Sequence, residues 1–395
     1  MDRSIRRDNS APILDIGDIV PVTIAGIKHQ GEGEFQGISH EDNGLYIAGY
    51  NIDGCDWVYE ASIDEDKLQL NLGRVLVGSG ALTDGVIEHI DYDKISRQWA
   101  VSFSTATSPS QIYSIEPGGV VQHTRERLLG IPDGLLSAGE DASFTSFDGL
   151  RISARLYLPA SHLNFTGTRP LVYYIHGGPQ SQERPDFAWF SMPLIQFLTM
   201  NGFAVFVPNV RGSTGYGQAF RRANYRDWGG KDVQDVLSGV DHVINLGVAD
   251  SQRLGIMGWS YGGYLTAAVI TQTERFRAAV IGDGMVDLVS YATGHDSPGF
   301  VPSHFGGEVW EVADLLLERS PIAHVDRVTT PTLILHGEDD QRVPIWQGYE
   351  FYNALTRRGC PVQMVVYPHT GHTPADPKSL LDVMERILAW MKTYI

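Results

Sequence analysis

Cysteine is nearly absent: the 395 residues contain two, Cys55 and Cys360, far apart in the chain. That excludes a disulfide framework and, with it, a cysteine-based zinc site. No run approaches the ~18 consecutive apolar residues that crossing a bilayer requires. The start, Met1-Asp2-Arg3-Ser4-Ile5-Arg6-Arg7-Asp8, lacks the apolar centre of a secretory signal, so a soluble cytoplasmic protein is expected. Positive charge is also scarce, with 30 basic residues against 47 acidic ones and a net charge of −17. The acidic surplus is spread along the chain and repels phosphate backbones and anionic lipids. Neither nucleic acid nor a membrane is therefore an expected partner. Histidines such as His295 and His304 lack metal-ligand pairing and read as solvated or structural. The glycine-rich stretch Arg211 to Gly217 lacks the Gly-Lys-Ser/Thr ending of a phosphate loop. Neither a metal nor an organic cofactor is expected.

What is present divides into two halves with different grammar. Residues 1–130 read as all-β. Short aromatic and β-branched runs (Gly44 to Tyr50, Trp57 to Ile63, Trp99 to Ser104, Gln111 to Ile115) end in turns such as Asn43-Gly44, Asp53-Gly54 and Asp84-Gly85. The hairpin spacing suits propeller blades, without a clean repeat and without an amphipathic helix. Leu129 to Glu140 has the Gly, Pro and Asp content of a linker. In residues 131–395 a hairpin is expected from Ala142 to Leu158 around Phe147-Asp148-Gly149. Continuous apolar strands then alternate with helical stretches: Leu171 to Ile175, Ala204 to Val207, Leu254 to Gly258, Ala278 to Ile281, Thr332 to His336 and Val362 to Tyr367. Ser379 to Met391 closes the chain as an amphipathic helix. Unalternating apolar strands interleaved with helices predict a mostly parallel sheet covered on both faces, an α/β fold.

Within that half stands Gly258-Trp259-Ser260-Tyr261-Gly262. With 43 glycines, roughly a few tenths of one Gly-x-Ser-x-Gly match arises by chance, so its context decides. An apolar strand precedes it and the helix-compatible Tyr264 to Ile270 follows, which is what a nucleophile elbow needs. A serine hydroxyl also requires a base and an orienting carboxylate. Downstream, one strand ends in Gly337-Glu338-Asp339-Asp340 and another in Pro368-His369-Thr370-Gly371-His372. Acid and histidine thus follow the serine in the order the fold demands.

Five segments together resemble the prolyl oligopeptidase family of serine peptidases. They are Gly258 to Tyr264, His176-Gly177-Gly178-Pro179, Arg211 to Gly217, His336 to Asp340 with Val343-Pro344, and Tyr367-Pro368 with Gly371-His372. The His-Gly-Gly-Pro form is most similar to the acylaminoacyl-peptidase branch. The resemblance implies an α/β-hydrolase catalytic domain with Ser260, Asp340 and His372 as the triad, leaving Asp339 and His369 as neighbours. It implies an oxyanion hole from the backbone N–H groups of Tyr261 and Gly178, with His176 structural. Arg342 matches a position that binds a substrate carbonyl in relatives, an ion pair being the competing reading. Tyr261 and Tyr264, with Met285 and Leu288, are candidates for an apolar specificity pocket, against core packing for the last two. The expected reaction is cleavage of short or N-acylated peptides through an acyl-enzyme. A carboxylesterase with the same triad and a non-catalytic scaffold are the alternatives. The family's seven-bladed propeller would take roughly three hundred residues. The first half here is shorter, and a partial propeller exposes strand edges that favour a homo-oligomer.

Overall fold

A computed structural model describes residues 19–20, 23–24, 27–28, 33–42, 44–64, 69–128, 130–187 and 190–395. The charged start Met1 to Asp8, the turn residue Asn43 and the linker residue Leu129 lie outside the described residues. The chain divides into two compact units. One comprises residues 1–130 with 184–189 and 215–219, and the other the remainder.

The apolar runs of the second unit form an eight-stranded sheet. Its strands are β1 (Glu140–Asp141), β2 (Ala154–Tyr157), β3 (Arg169–Ile175), β4 (Ala204–Pro208), β5 (Ala249–Trp259), β6 (Ala278–Gly282), β7 (Thr332–Gly337) and β8 (Val362–Tyr367). The spatial order is β1-β2-β4-β3-β5-β6-β7-β8. The β1–β2 and β2–β4 pairs are antiparallel and every later pair is parallel. The five residues from Leu171 to Ile175 of β3 are buried, as are all five of β6. Both faces are covered. A Cβ on Gly255 of β5 would meet Met391 and Ile395, in helix α5 (Pro377–Tyr394) and just after it. A Cβ on Gly258, three residues on and so across the pleat, would meet Gly262 in helix α3 (Tyr261–Ile270). Helix α2 (Lys231–Asn245) packs on α3 and α1 (Ser191–Met200) on α5, while α4 (Trp346–Arg358) lies against β7 and β8.

The hairpin around Gly149 forms but is divided. Phe144–Thr145 pairs with Arg151–Ile152 as a two-stranded ribbon, and the flanking residues enter the large sheet as β1 and β2. Gly149 takes φ +87°, and the Ser146 N–H donates to the Leu150 carbonyl (2.8 Å) to close the turn.

The first unit is antiparallel throughout. Four strands, Gly85–Asp93, Gln98–Thr105, Ser108–Glu116 and Gly119–Gln122, form a meander of one propeller blade's size. A second sheet joins Ile19–Val20, Gly33–Asp42, Leu45–Ile52, Cys55–Asp64 and Gln69–Val77. Trp99, Val101, Phe103 and Ile115 of the meander bury against Val58, Leu76 and Val77 of the other sheet.

Candidate active site

Ser260 ends β5 and begins α3, with φ +59° and ψ −119°. A non-glycine residue holds such a conformation only when its surroundings impose it, at a cost of about 1–3 kcal/mol. Two contacts impose it here. The Ser260 N–H donates to the Gly282 carbonyl (2.8 Å), and its own carbonyl accepts the Tyr264 N–H (2.9 Å). The turn is tight enough that a Cβ on Gly262 would lie 2.1 Å from the Ile175 carbonyl oxygen. The serine is therefore held out of both strand and helix, at the carboxyl edge of the parallel sheet.

The loops after β7 and β8 bring the other two groups together. His372 Nδ1 donates to Asp340 Oδ2 at 2.7 Å. The second carboxylate oxygen of Asp340 accepts the backbone N–H groups of Arg342 (2.8 Å) and Val343 (2.9 Å). Three donors thus fix this buried carboxylate, while His372 keeps 27% of its side chain exposed. A further contact links the histidine loop to the elbow. The Trp259 indole, one residue before Ser260, donates to the His372 carbonyl at 2.9 Å. Nothing in the sequence pattern announced that link.

The loop after β3 supplies the neighbourhood of the serine. A Cβ on Gly177 would lie 3.4 Å from the Ser260 Cβ, so this glycine is the close approach. Gly178 follows with φ +124°, a conformation reserved for glycine. His176 is buried, with Nδ1 donating to the Gly177 carbonyl (2.6 Å) and Nε2 against Ser213 Oγ (2.8 Å). Burial pushes its pKa down to about 4, so the ring is neutral and braces the loop.

Other residues singled out from the sequence sort themselves by exposure. Asp339 and His369 form a loose pair, 3.9 Å apart, with side chains 63% and 94% exposed. Arg342 is engaged by Asp296, its Nε donating at 2.6 Å, on a half-exposed surface. Tyr264 requires a correction as a substrate contact. It is fully buried, stacks on Tyr261 and donates its hydroxyl to the Arg319 carbonyl (2.8 Å). Its ring packs against Trp228 and Tyr261, with centroids 5.5 and 5.7 Å away. Met285 and Leu288 are likewise core residues. His304 packs on Trp228 and Phe300, with burial pushing its pKa to about 4. The Arg211 to Gly217 loop carries a buried ion network in which Arg211 joins Asp235 (2.7 Å) and Asp148 (2.9 Å).

Behind the Asp340–His372 pair lies a group that sequence reasoning missed. Asp283, just after β6, and His336, in β7, are both buried. His336 Nε2 donates to the Val343 carbonyl (2.8 Å) and stands 3.7 Å from Asp283 and 3.9 Å from Asp340. Since the Val343 N–H binds Asp340, His336 pins the far end of the acid loop. Asp283 accepts the Gly337 N–H (2.9 Å), while its other oxygen has no hydrogen-bond partner. Burial first, and then the charge of Asp340, raise its pKa well above the usual carboxylate range, which favours its protonated form. Asp283, His336 and Asp340 form one cluster with metal-ligand spacing among the described residues. The ring nitrogen facing the carboxylates already carries its hydrogen to Val343, so each member of the trio is tied separately to the backbone of this loop. The one signal available in sequence was an acidic residue interrupting an apolar run, Val280-Ile281-Gly282-Asp283-Gly284-Met285.

Comparison with known proteins follows the same lines. The Prolyl oligopeptidase family profile matches residues 188–395. Peptidase YuxL of Bacillus subtilis is 30% identical over 365 residues, covering 90% of this chain and 52% of that one. The human acylamino-acid-releasing enzyme is 33% identical over 257 residues, 63% of this chain and 34% of the enzyme. The chain therefore spans between a third and about half the length of these relatives. Among solved structures, a Mycobacterium tuberculosis puromycin-hydrolyzing peptidase superposes with a TM-score of 0.76 at 24% identity. The match covers 90% of this chain and 53% of that one, a likeness of fold.

Proposed function

The chain belongs to the prolyl oligopeptidase family, and from that premise we propose that it is a serine peptidase acting on short or N-acylated peptides through an acyl-enzyme on Ser260. The observation that carries the reading is the 2.7 Å bond from His372 to a buried, triply bonded Asp340, in a chain whose serine occupies a strained elbow. In this reading the free Nε2 of His372 takes the Ser260 proton as the hydroxyl attacks the scissile carbonyl. Asp340 holds the imidazole with its proton on Nδ1 and stabilises the cation that forms. The Tyr261 N–H, at the start of α3, and an N–H of the Gly177-Gly178 loop receive the oxyanion. His372 then protonates the leaving amine, water enters, and the same steps in reverse order release the acid. The acylated-substrate preference rests on likeness to the acylamino-acid-releasing enzymes.

Turnover of an N-acetyl-amino-acid anilide, an unblocked aminoacyl amide and a short-chain p-nitrophenyl ester by wild type and Ser260→Ala tests the proposal. We expect anilide turnover that Ser260→Ala abolishes, and an Asp340→Asn variant slowed by about 10⁴-fold in kcat. Ester turnover with no amide turnover would overturn the peptidase assignment, and activity surviving Ser260→Ala would overturn the nucleophile. Absence of labelling by a fluorophosphonate probe would point instead to a non-catalytic scaffold.

A further inference from the structure

Asp232 takes no part in the steps above, yet its side chain ends on the residue that follows the nucleophile. It is the second residue of α2 and fully buried. Its Oδ2 accepts the Tyr261 hydroxyl at 2.5 Å and the Gly229 N–H at 3.1 Å, and its Oδ1 accepts the Val233 N–H at 2.8 Å. No lysine or arginine neutralises it among the described residues. Arg211 is taken by Asp235 and Asp148, and Arg319 by Asp227 and Glu318. A buried carboxyl without a cation is costly to maintain, and here burial pushes its pKa up to about 7.

The Tyr261 end is equally constrained. Its hydroxyl accepts Asn224 Nδ2 (3.2 Å), its ring stacks on Tyr264 with centroids 5.7 Å apart, and Trp228 meets it edge-on at 4.9 Å. Tyr261 is therefore gripped at its ring and its tip, while its backbone N–H opens α3 beside Ser260. Two helices meet at this point: the carboxyl belongs to the start of α2 and the phenol to the start of α3. A donor for an oxyanion works only when it is fixed before charge develops, because reorientation during the reaction consumes the stabilisation.

We propose that Asp232 is a positioning residue for the oxyanion hole, fixing the Tyr261 N–H through the Tyr261 side chain. The inference rests on the triad reading given under Proposed function. It makes Asp232 important to the transition state and indifferent to substrate binding. Asp232→Asn and Tyr261→Phe, singly and together, test it on the full chain with the acyl-amino-acid anilide. Each single variant is expected to lower kcat about tenfold with KM within about twofold, since the lost interaction serves the transition state alone. The double variant is expected to fall no further than the worse single one, because both act on the same bond. Affinity for a peptide boronic acid, whose tetrahedral adduct carries an oxygen in the oxyanion position, should drop in parallel with kcat. Affinity for the free carboxylate product should not.

Unchanged kcat in the folded single variants, a loss confined to KM, or losses that multiply in the double variant would each overturn the proposal. If Asp232→Asn does not fold, Tyr261→Phe deletes the same bond from the other side by removing one atom, and the same readings decide. Ser260→Ala separates the two levels. Turnover that it abolishes while Asp232→Asn and Tyr261→Phe remain at wild-type kcat defeats the positioning role alone. Turnover that survives it defeats the triad reading beneath.

Discussion

Burial beside Asp340 raises the pKa of Asp283 well above the usual carboxylate range, and that shift has a thermodynamic consequence. Its folded pKa lies above the unfolded value of 3.8, so the native state retains a proton that the unfolded chain releases. Stability from this group is complete below that value and is lost as pH rises toward the folded pKa. His176 and His304, pushed to about 4, act in the opposite sense between about 4 and 6.5. A difference measurement removes them. The melting temperature of Asp283→Asn relative to wild type should climb as pH rises above about 4, by a few degrees in all. Differential scanning fluorimetry across that range checks it, and a flat difference would mean that Asp283 is ionised in the native state. At this scale Ser260, Asp340 and His372 could be proposed together because each follows a strand in a fixed order. Asp283, His336 and Asp232 were not, because each becomes a neighbour of the site only through the sheet and helix packing. A single acidic residue carries no spacing to read.

Elements were legible in proportion to their burial. The six continuous apolar runs of the second half emerged as β3 to β8, five of them to within two residues at each end and β5 reaching back to Ala249. In the first half Gly33–Asp42, Gln69–Val77 and Gly85–Asp93 escaped notice, since Glu34, His40, Glu41, Arg74, Glu88 and His89 break any run of apolar residues. Such strands are held by their neighbours' hydrogen bonds more than by their own composition. The tightest local requirement is the β5–α3 crossing. A methyl group on Gly262 would meet the Ile175 carbonyl, an atom of the central strand that cannot yield. Gly262→Ala should therefore destabilise the second unit by about 2–4 kcal/mol, read as a shift in its urea midpoint. Activity should fall with it, because displacing α3 moves the Tyr261 N–H.

For the whole molecule, the meander of the first unit ends on Gly119–Gln122, a strand exposed at all four residues and, among the described residues, paired on one side only. Val120 and Val121 add apolar surface to that edge. Unprotected edges recruit further strands, so we expect a homo-oligomer in solution, with light scattering giving a mass that is a multiple of 43.6 kDa. Val121→Pro, which cannot continue a ladder, should return it toward the monomer. A monomeric wild type at micromolar concentration would show that this edge is left unused. The net charge of −17 acts against association at long range, so added salt should favour the larger species.

The sheet order places β8 at the outer edge, bonded to β7 alone, and His372 rides on the loop that follows it. Ser260, by contrast, stands on a central strand. The proposed base is thus carried on an edge strand, so warming should silence turnover before the protein melts. During synthesis the proposed nucleophile and its elbow emerge more than a hundred residues ahead of the proposed base. On that reading a nascent chain is inactive until β8 has docked.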